Sequence, residues 1–185
     1  MRRVVLLLIG LGSAGFALAE APGMGPATGQ AQEMQVYLGG FSYWDTAPQG
    51  VVEISHPVRH RYAGGMGTFS NPITMAVGIE IIDGETLLDF PPGTIFYLPR
   101  LRKYAVVEDS CGPGASQQEG LCHPGYRGLP MLQIYLDGVS SSQAAAEACK
   151  QQITGVQPVV VDPGPNMSVV VGPLTESGCF IFPDP

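Results

Sequence analysis

Two short stretches concentrate the residues that could do chemistry. Phe41-Ser42-Tyr43-Trp44-Asp45-Thr46 sets an acid beside an aromatic pair, and Val106-Val107-Glu108-Asp109-Ser110-Cys111-Gly112 ends an apolar run in two acids. Carboxylates held at strand ends beside aromatic rings suit sugar chemistry. A carboxyl can protonate a glycosidic oxygen or orient a water, and a ring offers its flat face to a pyranose. Asp45 and Asp109 are the candidate catalytic residues on this reading. The chain shows no Ser-His-Asp set, nucleotide-binding loop or Cys-His nucleophile.

The elements that must position these residues lie in one stretch of chain. Residues 1–19 read as a secretory signal peptide: Arg2 and Arg3, an apolar run from Val4, then the small-x-small end Ala17-Leu18-Ala19. The run is too short and glycine-interrupted to suit a transmembrane span, so the protein is expected to be secreted or periplasmic, without membrane insertion. Residues 20–34 read as a flexible leader rich in Gly, Ala, Pro and Gln. Residues 35–185 read as a single domain with a C-terminal extension. Acidic residues exceed basic ones, 16 to 9, for a net charge of −7. That balance argues against nucleic acid, whose phosphates need a basic face. A monomer is expected.

The four cysteines, in an oxidising compartment, imply two disulfides with three possible connectivities. Cys111–Cys122 as a local staple and Cys149–Cys179 as a tie on the C-terminal tail are favoured. Cys111, Cys122 and His123 match no zinc spacing, so neither metal nor cofactor is expected. Strands are expected at Gln35–Tyr43, Val51–Ile54, Ile73–Val77 (with Gly78–Ile82 as an extension), Thr94–Leu98, Arg102–Glu108, Met131–Leu136 and Val159–Val161. Ser140-Ser141-Ser142 caps one helix over Gln143–Gln152. Many short strands punctuated by 17 prolines and 25 glycines point to an all-β barrel or sandwich.

The order of motifs is more specific than any one of them. Tyr43-Trp44-Asp45 is followed by Gly64-Gly65-x-Gly67-Thr68-Phe69-Ser70-Asn71-Pro72-Ile73-Thr74, then Pro92 to Tyr104, Val107 to Cys111, the strand at Leu132 to Leu136, and Cys149. Over residues 37–172 this resembles the double-psi β-barrel superfamily, which includes barwin, expansins, RlpA-type proteins, small inverting endoglucanases and the barrel of MltA-type lytic transglycosylases. The resemblance implies a six-stranded double-psi β-barrel with one short helix and disulfides. It implies a cell-wall polysaccharide, peptidoglycan or cellulose-like, as partner.

By the same resemblance, Asp45 takes the place of the endoglucanase base, and Asp109 that of the transglycosylase acid. A lone acid of that kind needs a carboxyl whose pKa burial raises. The second acid of the endoglucanases falls at Gln133, which cannot donate a proton. Asp137, just before Gly138, reads as a turn residue. A two-carboxylate inverting mechanism is therefore lost, leaving single-carboxyl cleavage by Asp109 or polysaccharide binding without hydrolysis, as in expansins. A protein–protein module on the same barrel is a third class. Tyr43, Trp44, Thr68, Asn71, Thr74, Gln133 and Tyr135 are the candidate substrate-binding residues. Two basic clusters, His56-Arg59-His60-Arg61 and Arg100-Arg102-Lys103, read either as solvated strand edges or as partners for substrate carboxylates.

Overall fold

The computed structural model describes residues 31–46, 48–50, 52–112, 122–137 and 139–183. The expected signal peptide, and the leader as far as residue 30, lie outside the described residues. Among the described residues eight strands form: β1 (Gln32–Phe41), β2 (Ile73–Val77), β3 (Ile79–Ile82), β4 (Glu85–Leu88), β5 (Ile95–Leu98), β6 (Lys103–Ser110), β7 (Met131–Tyr135) and β8 (Gly155–Val161). Six of them close a barrel in the order β1-β7-β2-β6-β5-β8, while β3 and β4 pair apart as a hairpin. The fold class is the expected one, an all-β six-stranded barrel with one short helix and two disulfides, Cys111–Cys122 and Cys149–Cys179.

Alternation builds the barrel. Val36 and Leu38, Ile73, Met75 and Val77, Ala105 and Val107, and Leu132 and Ile134 all point inward and share one core with Phe96 and Val159. The pairing repeats itself. β1 lies parallel to β7 as β6 lies parallel to β2, and β8 runs antiparallel to β1 as β5 does to β6. Replacing β1, β2 and β5 by β6, β7 and β8 therefore returns the same ladder, so the barrel carries an internal pseudo-twofold.

Helix α1 (Gln143–Ile153) runs one residue beyond its expected end. Its N-cap is Ser142, whose hydroxyl accepts from the Ala145 amide, a cap typically worth about 1 kcal/mol. Ala146, Cys149 and Ile153 recur at helical spacing and bury one face. Cys149 then ties this face to the C-terminal segment through Cys179.

Several boundaries differ from the sequence expectation for local reasons. β1 ends at Phe41 because Ser42 caps a 3-10 turn over Tyr43–Asp45. The strand expected at Val51–Ile54 reduces, among the described residues, to a single bridge between Glu53 and Tyr62. The run after Val77 does not extend β2; Asp83 and Gly84, both at positive φ, turn it back as the β3–β4 hairpin. Lys103, read from sequence either as part of a solvated edge or as a partner for substrate carboxylates, is 1 % exposed. Its ammonium donates to the Val170 and Gly172 carbonyls and to Ser177 Oγ.

Candidate functional site

The outer face of β1-β7-β2-β6 gathers four of the nine candidate residues, Thr74, Gln133, Tyr135 and Asp109. Residues paired across adjacent strands point to the same side. Gly39 pairs with Gln133, Gln133 with Ala76, and Ala76 with Asp109. Gln133 and Asp109 thus lie in one transverse row, outside the barrel because the residues that flank Gln133 (Leu132, Ile134) and those that flank Ala76, the partner of Asp109 (Met75, Val77), are in the core. Ala76 stands between them and is covered by the Cys111–Cys122 disulfide. In the next row Phe41 pairs with Tyr135, their rings 5.2 Å apart.

A register shift explains how two consecutive acids serve the same face. Met75 pairs with Val107 and Ala76 with Asp109, so Glu108 is the extra residue of a bulge. In regular alternation Glu108 and Asp109 would point to opposite sides; the bulge re-aims the strand so that both reach the outer loop.

Glu108 is fully buried, and its carboxylate is saturated. Oε1 accepts from Thr74 Oγ1 at 2.7 Å and pairs with His60 Nδ1 at 2.5 Å. Oε2 accepts from the amides of Arg59 and His60. Burial opposes its ionisation, but the hydrogen bonds from His60, Thr74 and the Arg59 amide outweigh it and hold the carboxyl below its ordinary 4.5. On its other side His60 Nε2 lies 2.9 Å from Asn71 Oδ1, and the Asn71 amide donates to Thr68 Oγ1. Thr68, Asn71 and Thr74 are therefore joined, through two residues absent from the sequence-derived site, His60 and Glu108.

Asp109 takes the other end of the same loop. Its Oδ1 accepts from the Ser55 amide, the Ser55 hydroxyl and the Ser110 amide at 2.8–3.0 Å. Ser55 Oγ also lies 2.9 Å from His56 Nδ1 and 3.2 Å from Ser110 Oγ. No hydrogen bond from the described residues reaches Asp109 Oδ2, nor the side-chain amide of Gln133. Both groups are open to a ligand.

Asp45 is differently placed. Its Oδ2 accepts from the Ser42 amide and hydroxyl, completing the cap of the 3-10 turn, and its Oδ1 pairs with Lys150 of α1. Burial works against the charge, yet Lys150 and Ser42 hold the carboxyl below its ordinary 3.8. Both oxygens are engaged, which suits a structural anchor better than a base that must orient water. Tyr43 and Trp44 pack edge to face at 5.4 Å. Tyr43 also covers Gly50, where an added Cβ would fall 2.7 Å from the ring. Tyr135 is buried, and burial, then Asp137 and Tyr43, push its phenol up, so it stays a neutral donor. Asp137 is a turn residue at φ 67° whose carboxylate accepts from the Val139 amide. Among the described residues no three His, Cys, Asp or Glu side chains group as a metal site. No helix there is long and apolar enough to cross a membrane.

Residues 33–180 match the family described as DDB_G0273701 N-terminal domain. A relative from Dictyostelium discoideum, named "Uncharacterized protein DDB_G0273701/DDB_G0273221", is 37% identical over 59 residues. That match covers 32% of this chain and 23% of the relative. No solved structure matches.

Proposed function

The chain belongs to the DDB_G0273701 N-terminal domain family, and from the geometry of its barrel we propose that it is an exported barrel that binds cell-wall polysaccharide, peptidoglycan or cellulose-like, on the outer face of β1-β7-β2-β6. The observation that carries the reading is the row Gly39–Gln133–Ala76–Asp109, in which an unengaged amide and an unengaged carboxylate oxygen share one face. An amide and a carboxylate are the usual partners of sugar hydroxyls, and Tyr43 and Trp44 beyond the end of β1 offer ring faces. The pseudo-twofold ladder supports the likeness to double-psi barrels, and two disulfides support an oxidising compartment.

Binding without hydrolysis is favoured over an inverting mechanism. Gln133 cannot act as an acid, and Asp45 is held in its cap and by Lys150. A second reading, glycosidic cleavage by one carboxyl, rests on the open Oδ2 of Asp109. Pull-down on insoluble peptidoglycan, cellulose and chitin, with mass spectrometry of the released sugars, tests both. Retention that falls in Gln133→Ala, with no fragments released, is the expected result. Anhydro- or reducing-end fragments that vanish in Asp109→Asn would move the protein to the enzymes. Neither retention nor release would retire the carbohydrate reading.

A further inference from the structure

The barrel face opposite the candidate site, around β8 and β5, carries a hollow that polysaccharide binding does not use. Its floor is a second transverse row: Glu33 of β1 pairs with Val160 of β8, and Val160 with Tyr97 of β5. The β5–β6 turn and the C-terminal segment rise on either side and enclose about 460 Å³, within the range of small-molecule sites. The lining is mainly apolar and includes Val160, Met167 and Phe182. The Tyr97 hydroxyl is engaged, donating to the Ser168 carbonyl at 2.6 Å.

Arg102 is the group that gives the hollow a chemistry. It sits at φ +50°, a left-handed conformation that a side chain other than Gly, Asn or Asp seldom adopts. Its guanidinium lies 3.9 Å from the centre of the Phe182 ring, so one face is fixed by stacking and the N–H edges are pre-oriented. Among the described residues it forms no ion pair; the acids that do pair go to His60, His123 and Lys150. In a chain with 16 acidic and 9 basic residues, a stacked, acid-free arginine lining an apolar hollow is out of character for a solvated edge. Glu33, at the opposite rim, lies two strands from Tyr97, about 10 Å by ordinary strand spacing. It disfavours a second negative charge there.

We propose that this hollow binds a small apolar monocarboxylate, with the carboxylate on Arg102 and the apolar body on Val160 and Met167. Charge-assisted, bidentate pairing with guanidinium supplies orientation, and the apolar floor supplies most of the affinity. The probe is 4-phenylbutyrate, with 4-phenylbutylamine as the matched cation, titrated into the oxidised protein and followed by amide NMR shifts. Saturable millimolar binding of the acid, with shifts at Val160, Met167 and Phe182, is expected. The amine should bind more weakly, and Arg102→Gln should raise the Kd of the acid about fivefold or more, the loss of one charge-assisted contact. Glu33→Gln should leave binding of the acid intact or tighten it. Absence of saturable shifts in the hollow, equal binding of acid and amine, or an unchanged Kd in Arg102→Gln would each overturn the proposal.

Discussion

Asp45 and Asp109 look alike in sequence, each an acid at the end of an apolar run, and the fold gives them different tasks. Asp45 closes a cap and meets Lys150, so Asp45→Ala should cost about 1–2 kcal/mol in urea denaturation through the lost cap and ion pair. Its carboxyl is held below 3.8, so its contribution is present above that pH and fades as pH falls below it. Asp109→Asn keeps an acceptor for Ser55 and Ser110 and should leave stability nearly unchanged. Retention on the insoluble polysaccharide it binds should instead fall several-fold, because the charge on Oδ2 is gone. The residue types at this site were legible in the sequence: Thr74, Gln133, Tyr135 and Asp109 do share one face. The free or engaged state of each oxygen was not legible, because Lys150 and Ser55 reach these acids across 105 and 54 residues of chain.

At the scale of elements, the bulge at Glu108 is the feature that plain alternation could not reveal. Period-2 reasoning places β6 and its core correctly, but an inserted residue leaves the pattern of types unchanged and alters only where they point. The β3–β4 hairpin escaped for a related reason, since Gly78 reads equally as a strand residue and as a break. The bulge makes Glu108 the clamp of the loop from His56 to His60. Glu108→Gln would turn an amide N–H₂ toward groups that are themselves donors, Thr74 and the Arg59 and His60 amides. A loss of about 2–4 kcal/mol is expected, with faster hydrogen exchange in this loop. Acid should act in the same way on the wild type. The folded carboxyl lies below 4.5, so the clamp is complete above that value, and loop protection should decline as pH falls beneath it. Exchange in the loop that stays flat through that range would show that the clamp does not depend on the Glu108 charge.

For the whole molecule, short strands and turns pointed to a barrel or a sandwich, the motif resemblance narrowed this to a six-stranded barrel, a serine cap placed the helix, and the cysteine positions favoured one of three disulfide pairings. The route of the C-terminal segment was not legible, because that segment has little regular pattern and is held by scattered long-range contacts, among them Cys149–Cys179, the Val170 amide on the Arg102 carbonyl, and buried Lys103. Lys103 joins β6 to the Val170–Ser177 stretch through three acceptors, yet burial lowers its ammonium to about 8 from 10.5. Between those two values the unfolded chain holds a proton that the folded chain has released. Unfolding there takes up a proton, so this group makes stability rise with pH across that window. Lys103→Met should be less stable at neutral pH, since two carbonyls and the Ser177 hydroxyl lose their common donor, and it should lack the alkaline rise. Urea midpoints of wild type and variant, measured from pH 7 to beyond 10.5 with the disulfides intact, read both effects together. Parallel pH profiles would mean that Lys103 keeps its proton in the fold. The three acceptors would then outweigh burial, and the C-terminal segment would be held by a charged tie throughout.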